Sequence, residues 1–210
     1  MVEYEAEPAA ATELFVVEGS LDKAREYTRN LAENGETLGL IGPLELPRLW
    51  TRHVLNSAVL ASLLKPGRVG DVGSGAGLPG LVLAIARPDV QLVLIEPMER
   101  RVAWLEQQVS ELGLENVEVV RARAEDVMLY RALDQVTARA VSALRTLIPL
   151  TARLVREGGE LLLLKGAGAE RELEAAEKAI RKLKLSNVEI LELGTGVITE
   201  PTRVVRATVN

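Results

Sequence analysis

Among the side chains of this sequence, Asp71-Val-Gly73-Ser74-Gly75-Ala-Gly77-Leu78-Pro-Gly80 is the segment whose residue types and spacing call for a ligand. Four glycines within eight residues let the backbone turn sharply and come close to a bound molecule with no Cβ in the way. A plain turn between a strand and a helix needs only one or two. Gly75, Gly77 and Gly80 also satisfy the GxGxxG spacing, and Glu96 follows Gly75 by 21 residues, where an acidic side chain binds ribose hydroxyls. The chemistry implied is that of a nucleotide-type cofactor, and the loop alone leaves its identity open. A dehydrogenase would present the same glycines and the same acid.

Composition narrows the choice. Of 210 residues none is cysteine and one, His53, is histidine, so thiolate nucleophiles, Cys-ligated metals and multi-histidine metal sites are excluded. No metal is expected. The net charge is −5, which argues against a uniformly basic nucleic-acid surface and leaves room for a local basic patch. Six aromatic residues are too few for a broad stacking platform for single-stranded RNA. No apolar run reaches the roughly 20 residues that cross a bilayer, and Glu3, Glu5, Glu7 and Glu13 occupy the place of a secretion signal. The reading is a soluble, cytoplasmic protein with no membrane partner.

The elements that must position the loop follow from periodicity. The first dozen residues, rich in Glu and Ala with Pro8, read as a frayed start. Ser20 is a plausible N-cap for a helix carrying Leu21, Ala24, Thr28 and Leu31 and closing at Asn34-Gly35. Pro47 suits the first turn of a second helix, through Trp50, Val54, Leu55, Val59 and Leu63, that Pro66-Gly67 stops. Residues 1–66 are therefore expected to form a helical extension and residues 67–210 one compact domain. In the latter, Val69 to Val72, Gln91 to Glu96, Val117 to Arg121, Gln135 to Ala138 and Glu160 to Leu164 read as strands, with helices near 79–87, 99–112, 142–156 and 170–184 between them. This alternation predicts an α/β fold with a parallel sheet covered on both faces. Val188 to Leu193 and Arg203 to Thr208 are separated by only nine residues, too few for a parallel crossover, so they should pair as an antiparallel hairpin. The sum is a Rossmann-like, mostly parallel sheet of seven strands.

Three features favour S-adenosyl-L-methionine as the cofactor. The reversed last strand departs from the six parallel strands of the dinucleotide fold. Asp71, Glu96, Glu125 and Asp126 all fall at strand ends on the carboxyl edge, and an acidic rim suits a sulfonium cation better than a pyrophosphate. The lysine of a phosphate-binding GxxxxGK[ST] loop is absent.

Beyond the loop, Arg52-His-Val-Leu-Asn-Ser57, Gly70 through Leu81, Arg121-Ala-Arg-Ala-Glu125, Ala138-Arg-Ala140 and Leu164-Lys-Gly166 occur in an order that resembles the bacterial 16S ribosomal RNA guanine-N7 methyltransferases, the glucose-inhibited division protein B family. The resemblance covers roughly residues 20 to 185. It implies a class I S-adenosylmethionine methyltransferase fold with an N-terminal helical extension, and 7-methylguanosine in a decoding-region loop of the small-subunit RNA as product. It also implies cofactor contacts at Gly73, Leu78, Ala124, Glu125 and Arg139, with Glu96 on the ribose. Two positions depart from the family pattern: Asn56 stands where Asp is common, and Arg203-Val-Val-Arg206 lacks the usual basic-His character.

Guanine N7 carries a free lone pair on the major-groove edge, so methylating it requires alignment and no strong base. On the second helix Arg48 and Arg52, Arg52 and Asn56, and His53 and Ser57 stand at i, i+4 and form polar stripes that could meet RNA. Arg139 at the sheet edge could grip a phosphate or a base edge, or form an ion pair with Glu125 or Asp126. Lys165 could reach an RNA phosphate or lie in an exposed turn. The expected partner is 16S rRNA or a small-subunit assembly intermediate, with the protein a monomer. The rival readings are a small-molecule methyltransferase, an NAD-dependent oxidoreductase and a non-catalytic RNA-binding module.

Overall fold

A computed structural model describes residues 3–210. Among the described residues seven strands, β1 Arg68–Val72, β2 Gln91–Ile95, β3 Val117–Val120, β4 Leu133–Arg139, β5 Val155–Lys165, β6 Ser186–Leu193 and β7 Thr202–Thr208, form one sheet in the order β3-β2-β1-β4-β5-β7-β6. Strands β1 to β5 pair in parallel, while β7 runs antiparallel to both β5 and β6. The expected hairpin is present, and its reversed strand lies inside the sheet, between β5 and β6. That arrangement differs from a six-stranded all-parallel dinucleotide fold and removes the structural basis for the oxidoreductase reading.

Each central strand is buried on both faces, which is why it reads as a short continuous apolar run. Leu161 and Leu163 enter one core, Leu162 and Leu164 the other, and Val93 and Ile95 are separated from Leu92 and Leu94 in the same way. Helices α4 Gly80–Ala86, α5 Glu99–Glu111, α6 Leu144–Ala152 and α7 Ala169–Lys182 complete the layers, preceded in the chain by α1 Ala10–Leu14, α2 Ser20–Asn34 and the single turn α3 Asn56–Ala58. Tyr27 and Leu31 of α2, with Trp50 and Leu55, belong to the same apolar cluster as Val69 of β1 and Leu92 of β2. No helix among the described residues is long and apolar enough to cross a membrane.

Four local expectations are corrected. The N-terminal dozen is anchored: Ala11 is buried, as is Phe15 just beyond it, the Glu5 amide donates to the Leu46 carbonyl, and Glu7 pairs with Arg25 at 2.6 Å. Gly19, at φ +76°, precedes α2 in the capping position, and Ser20 is the first helical residue, its hydroxyl donating back to the Val17 carbonyl at 2.5 Å. The second helix is a succession of turns: 3-10 over Pro43–Arg48, π over Leu49–Leu55, then α3, then 3-10 over Val59–Leu63. Pro47 has no amide to donate, which breaks a regular ladder at its start, and the π turn changes which side chains share a stripe. Finally, the helix expected over 142–156 is α6, ending at Ala152, because Val155 already pairs with Leu133 and Gly158 exchanges backbone hydrogen bonds with Val209 through its neighbour Gly159.

Phe15→Ala should lower the unfolding free energy by about 3–5 kcal/mol, the cost of emptying a buried aromatic site. Urea denaturation checks this, and a change below 1 kcal/mol, within what surface positions show, would return the segment to a peripheral role.

Candidate active site

The carboxyl ends of β1 and β2 define the site. As the chain leaves β1, the amides of Gly73 and Ser74 both donate to the Ile95 carbonyl, at 2.8 and 3.3 Å, sewing the glycine loop to the end of β2. The Gly75 amide then donates to Glu96 Oε2 at 2.9 Å, and Glu96 Oε1 accepts from the Met98 amide at 3.0 Å. Glu96 is buried, yet a carboxylate has about four lone-pair positions, so two remain for a ligand's hydroxyls. Gly75 sits at φ +56°, and a Cβ built there would find only the Gly73 carbonyl, 3.8 Å away, with open space beyond. Gly80 serves a different end: its Cβ would lie 2.6 Å from Asp71 Oδ2, so glycine is needed there for packing around a carboxylate.

Asp71 is fully buried. Its Oδ2 accepts from the Gly80 amide at 3.0 Å, while Oδ1 has no hydrogen-bond partner among the described residues. Burial dominates and pushes its pKa up to about 6 against the opposing effects of Ser74, the Gly80 amide and Arg139, with Glu96 nearby adding to the rise. Ser74 secures the turn by donating its hydroxyl to the Asp71 carbonyl at 2.9 Å. A buried acceptor without a donor, a glycine that opens outward and a second carboxylate with spare lone pairs fit a cationic, ribose-bearing cofactor.

Two further residues hold the loop. The Tyr27 hydroxyl of α2 and the Trp104 indole N–H of α5 both donate to the Ala76 carbonyl, at 3.0 and 2.9 Å. Both side chains are buried. Their spacing in sequence from Ala76 carries no signal, and only the buried polar tips of large aromatics hint that partners exist.

Arg139, the last residue of β4, points toward the helical segment. Its guanidinium donates to His53 Nδ1 at 3.1 Å and reaches the Arg52 carbonyl at 3.5 Å, and it forms no ion pair with Glu125 or Asp126. Burial pulls its pKa below the usual arginine value, while the Asp71 charge opposes that change. On its other side His53 meets Glu45 Oε2 at 2.6 Å. Burial, then the Arg139 charge, lowers the His53 pKa, with Glu45 resisting. Glu45 also accepts from Arg48 at 2.7 Å and lies 3.5 Å from Arg52, so two of the expected RNA-facing cations are gathered on a carboxylate the sequence did not single out. Its i, i+3 relation to Arg48 was the available signal.

A sequence profile described as rRNA small subunit methyltransferase G matches residues 20–200. A protein of Leifsonia xyli subsp. xyli named ribosomal RNA small subunit methyltransferase G is 66% identical over 205 residues, covering 98% of this chain and 97% of its own. One of the same name from Pseudarthrobacter chlorophenolicus is 54% identical over 98% of this chain and 94% of its own. The chain belongs to the rRNA small subunit methyltransferase G family. Solved structures share its fold at low identity. A SAM-dependent O-methyltransferase of Thermotoga maritima aligns with a TM-score of 0.58 at 18% identity, over 74% of this chain and 64% of that one. The N-methyltransferase NodS of Bradyrhizobium japonicum aligns at 0.54 and 16%, over 75% and 94%.

The remaining positions quoted for the family resemblance have contacts of their own. Arg153 holds the backbone carbonyls of Ala124 and Glu125, while the Glu125 side chain is exposed and 3.9 Å from Arg123. Leu78 and Gly77 close the loop through amides donating to the Ser74 carbonyl. Lys165 is neither an exposed turn residue nor a free cation: its side chain is 8% exposed, bound to the Ser142 carbonyl at 2.7 Å and to Glu172 at 2.8 Å. Asn56 offers its backbone carbonyl to Thr202, and the Ser57 hydroxyl donates to the His53 carbonyl, at 3.0 and 2.7 Å.

The elevated Asp71 pKa has a testable consequence. A carboxyl raised in the fold contributes stability that is complete below about pH 4 and is lost as pH rises through about 6. An elevation of that size corresponds to about 3 kcal/mol. Asp71→Asn carries no ionisable group, so its stability relative to the wild type should grow by roughly that amount between pH 4 and pH 8. Paired denaturant titrations measure the difference, and a pH-independent gap would contradict the buried, ionising carboxyl.

Proposed function

We propose that this protein transfers a methyl group from S-adenosyl-L-methionine to N7 of a guanine in the decoding-region loop of 16S ribosomal RNA. The observation that carries the reading is the coincidence, at one sheet edge, of an outward-opening glycine, two buried carboxylates and a guanidinium, in a chain of the rRNA small subunit methyltransferase G family. On this reading the enzyme works in the cytoplasm as a monomer, on rRNA or on a small-subunit assembly intermediate.

Glu96 would hold the ribose hydroxyls with its spare lone pairs, and the Gly73–Leu78 backbone would line the cofactor's sulfur-bearing side chain. Ala124 and Glu125 would meet the base, at a turn that Arg153 holds by its carbonyls. When bound, the cofactor supplies an electrophilic methyl on a sulfonium. The residues around it supply charge and alignment: Asp71 and Glu96 present negative potential to the cation, and Arg139 stands where it can take a phosphate or a base edge. Guanine N7 attacks with its own lone pair, so no proton has to be removed first. His53 accords with that demand. Both of its ring nitrogens are engaged, one with Glu45 and one with Arg139, leaving neither free to act as a base. Fixing nucleophile, methyl carbon and sulfur in line is worth up to about 7–11 kcal/mol.

Methyl-labelled cofactor incubated with deproteinised 16S rRNA and with free small subunits should place label in RNA, recovered after nuclease digestion as 7-methylguanosine. Label confined to small molecules, or none at all, would defeat the reading. Gly75→Val should weaken cofactor binding at least tenfold by calorimetry, since a branched side chain at φ +56° is strained and fills the open side of the loop. Unchanged affinity would move the cofactor elsewhere.

A further inference from the structure

The Glu45, His53 and Arg139 side chains form a relay with a fixed direction. A guanidinium has donors only, so the Arg139 contact at 3.1 Å requires an acceptor lone pair on His53 Nδ1. The ring proton must then sit on Nε2, where it is donated to Glu45 Oε2 at 2.6 Å, and an ionised carboxylate accepts only. Arg48, at 2.7 Å from the other oxygen, orients the carboxylate, and Glu45 lies outside the sheet, in the 3-10 turn at Pro43–Arg48. At the far end, Arg139 precedes Ala140, held at φ +55°, a left-handed conformation costly for a residue with a Cβ. That turn brings Val141 against the glycine loop, where a Cβ on Gly73 would lie 2.7 Å from Val141 Cγ2. The guanidinium therefore leaves β4 at a constrained point beside the loop and is steered by the imidazole.

We propose that Glu45 is a positioning residue for methyl transfer: by fixing His53 as the Nε2–H tautomer it leaves the Nδ1 lone pair to hold Arg139 at the sheet edge. The inference rests on the methyltransferase reading above. Glu45→Gln keeps the shape of the side chain and removes its direction, because an amide can turn its NH2 toward Nε2 and admit the Nδ1–H tautomer. An N–H would then face the guanidinium, and Arg139 would turn away.

The chain has a single histidine, so the ring nitrogen-15 shifts of uniformly labelled protein report this tautomer without assignment. The wild type should show Nε2–H at neutral pH, and Glu45→Gln a mixture or the Nδ1–H form. Methyl transfer to the RNA substrate should fall between about tenfold and a hundredfold in kcat. Cofactor affinity should fall much less than kcat, because Glu45 touches none of the residues that hold the loop and Arg139 is one cofactor contact among several. A wild-type ring that is Nδ1–H or doubly protonated overturns the proposal, and so does a Glu45→Gln enzyme with altered tautomer and undiminished kcat. A wild type that methylates no RNA defeats the functional reading itself, whereas an active wild type with an equally active Glu45→Gln defeats only this inference. Should Glu45→Gln fold poorly, His53→Gln against His53→Leu tests the same polarity. Glutamine can accept from Arg139 and donate to Glu45, so it should retain more activity than leucine, and equal activities would overturn the relay.

Discussion

One peptide carbonyl, that of Ala76, carries the tertiary organisation of the site. It accepts from a tyrosine of the N-terminal helices and from a tryptophan of the helix after β2, two donors converging on the two lone pairs of a single oxygen. Each of these large side chains is buried, and each would leave a polar tip unsatisfied if the loop moved. The loop is therefore fastened at this carbonyl from two sides. The same contact explains why the helical extension and the sheet share an apolar cluster: the extension supplies one of the two fingers that hold the loop shut.

Electrostatics at the same edge are arranged by burial more than by pairing. Asp71 keeps one oxygen without a donor, Arg139 is half-buried and held by an imidazole instead of a carboxylate, and neither is neutralised by a direct ion pair with the other. Such groups are costly in an empty protein and become useful when a ligand brings complementary charge. Lys165 shows the opposite economy. Its ammonium is satisfied by Glu172 and a carbonyl, and Glu172 also accepts from the Leu144 amide, so this cation ties the start of α6 to the end of β5.

The glycine loop, Glu96 and the hairpin were legible because each is a local pattern: spacing within one turn, an acid at a strand end, a linker too short for a crossover. Tyr27, Trp104 and Glu45 were not. Their roles depend on partners 49, 28 and 8 residues away, and nothing in their immediate neighbours encodes that distance. The grouping of side chains on the second helix was hidden for a different reason. Pro47 and the π turn change the angular step, so Arg48, Arg52 and His53 converge on one carboxylate that an i, i+4 ruler does not find. The anchored N-terminal dozen shows the limit of composition: a segment rich in Glu and Ala still seats Ala11 in the core, next to Phe15 three residues beyond its end.

Strand β6 touches the sheet only through β7, which alone covers the outer side of β5. Beneath that cover lies Leu161-Leu-Leu-Leu164, a run of four leucines with free backbone donors and acceptors whenever the hairpin lifts away. Such an uncovered border is a template for pairing between molecules, and only Glu160 and Lys165 stand guard at its ends. The antiparallel pair thus leaves that run no unpaired border, and Val204 and Val205 of β7, buried in the two opposite cores, keep the cover in place.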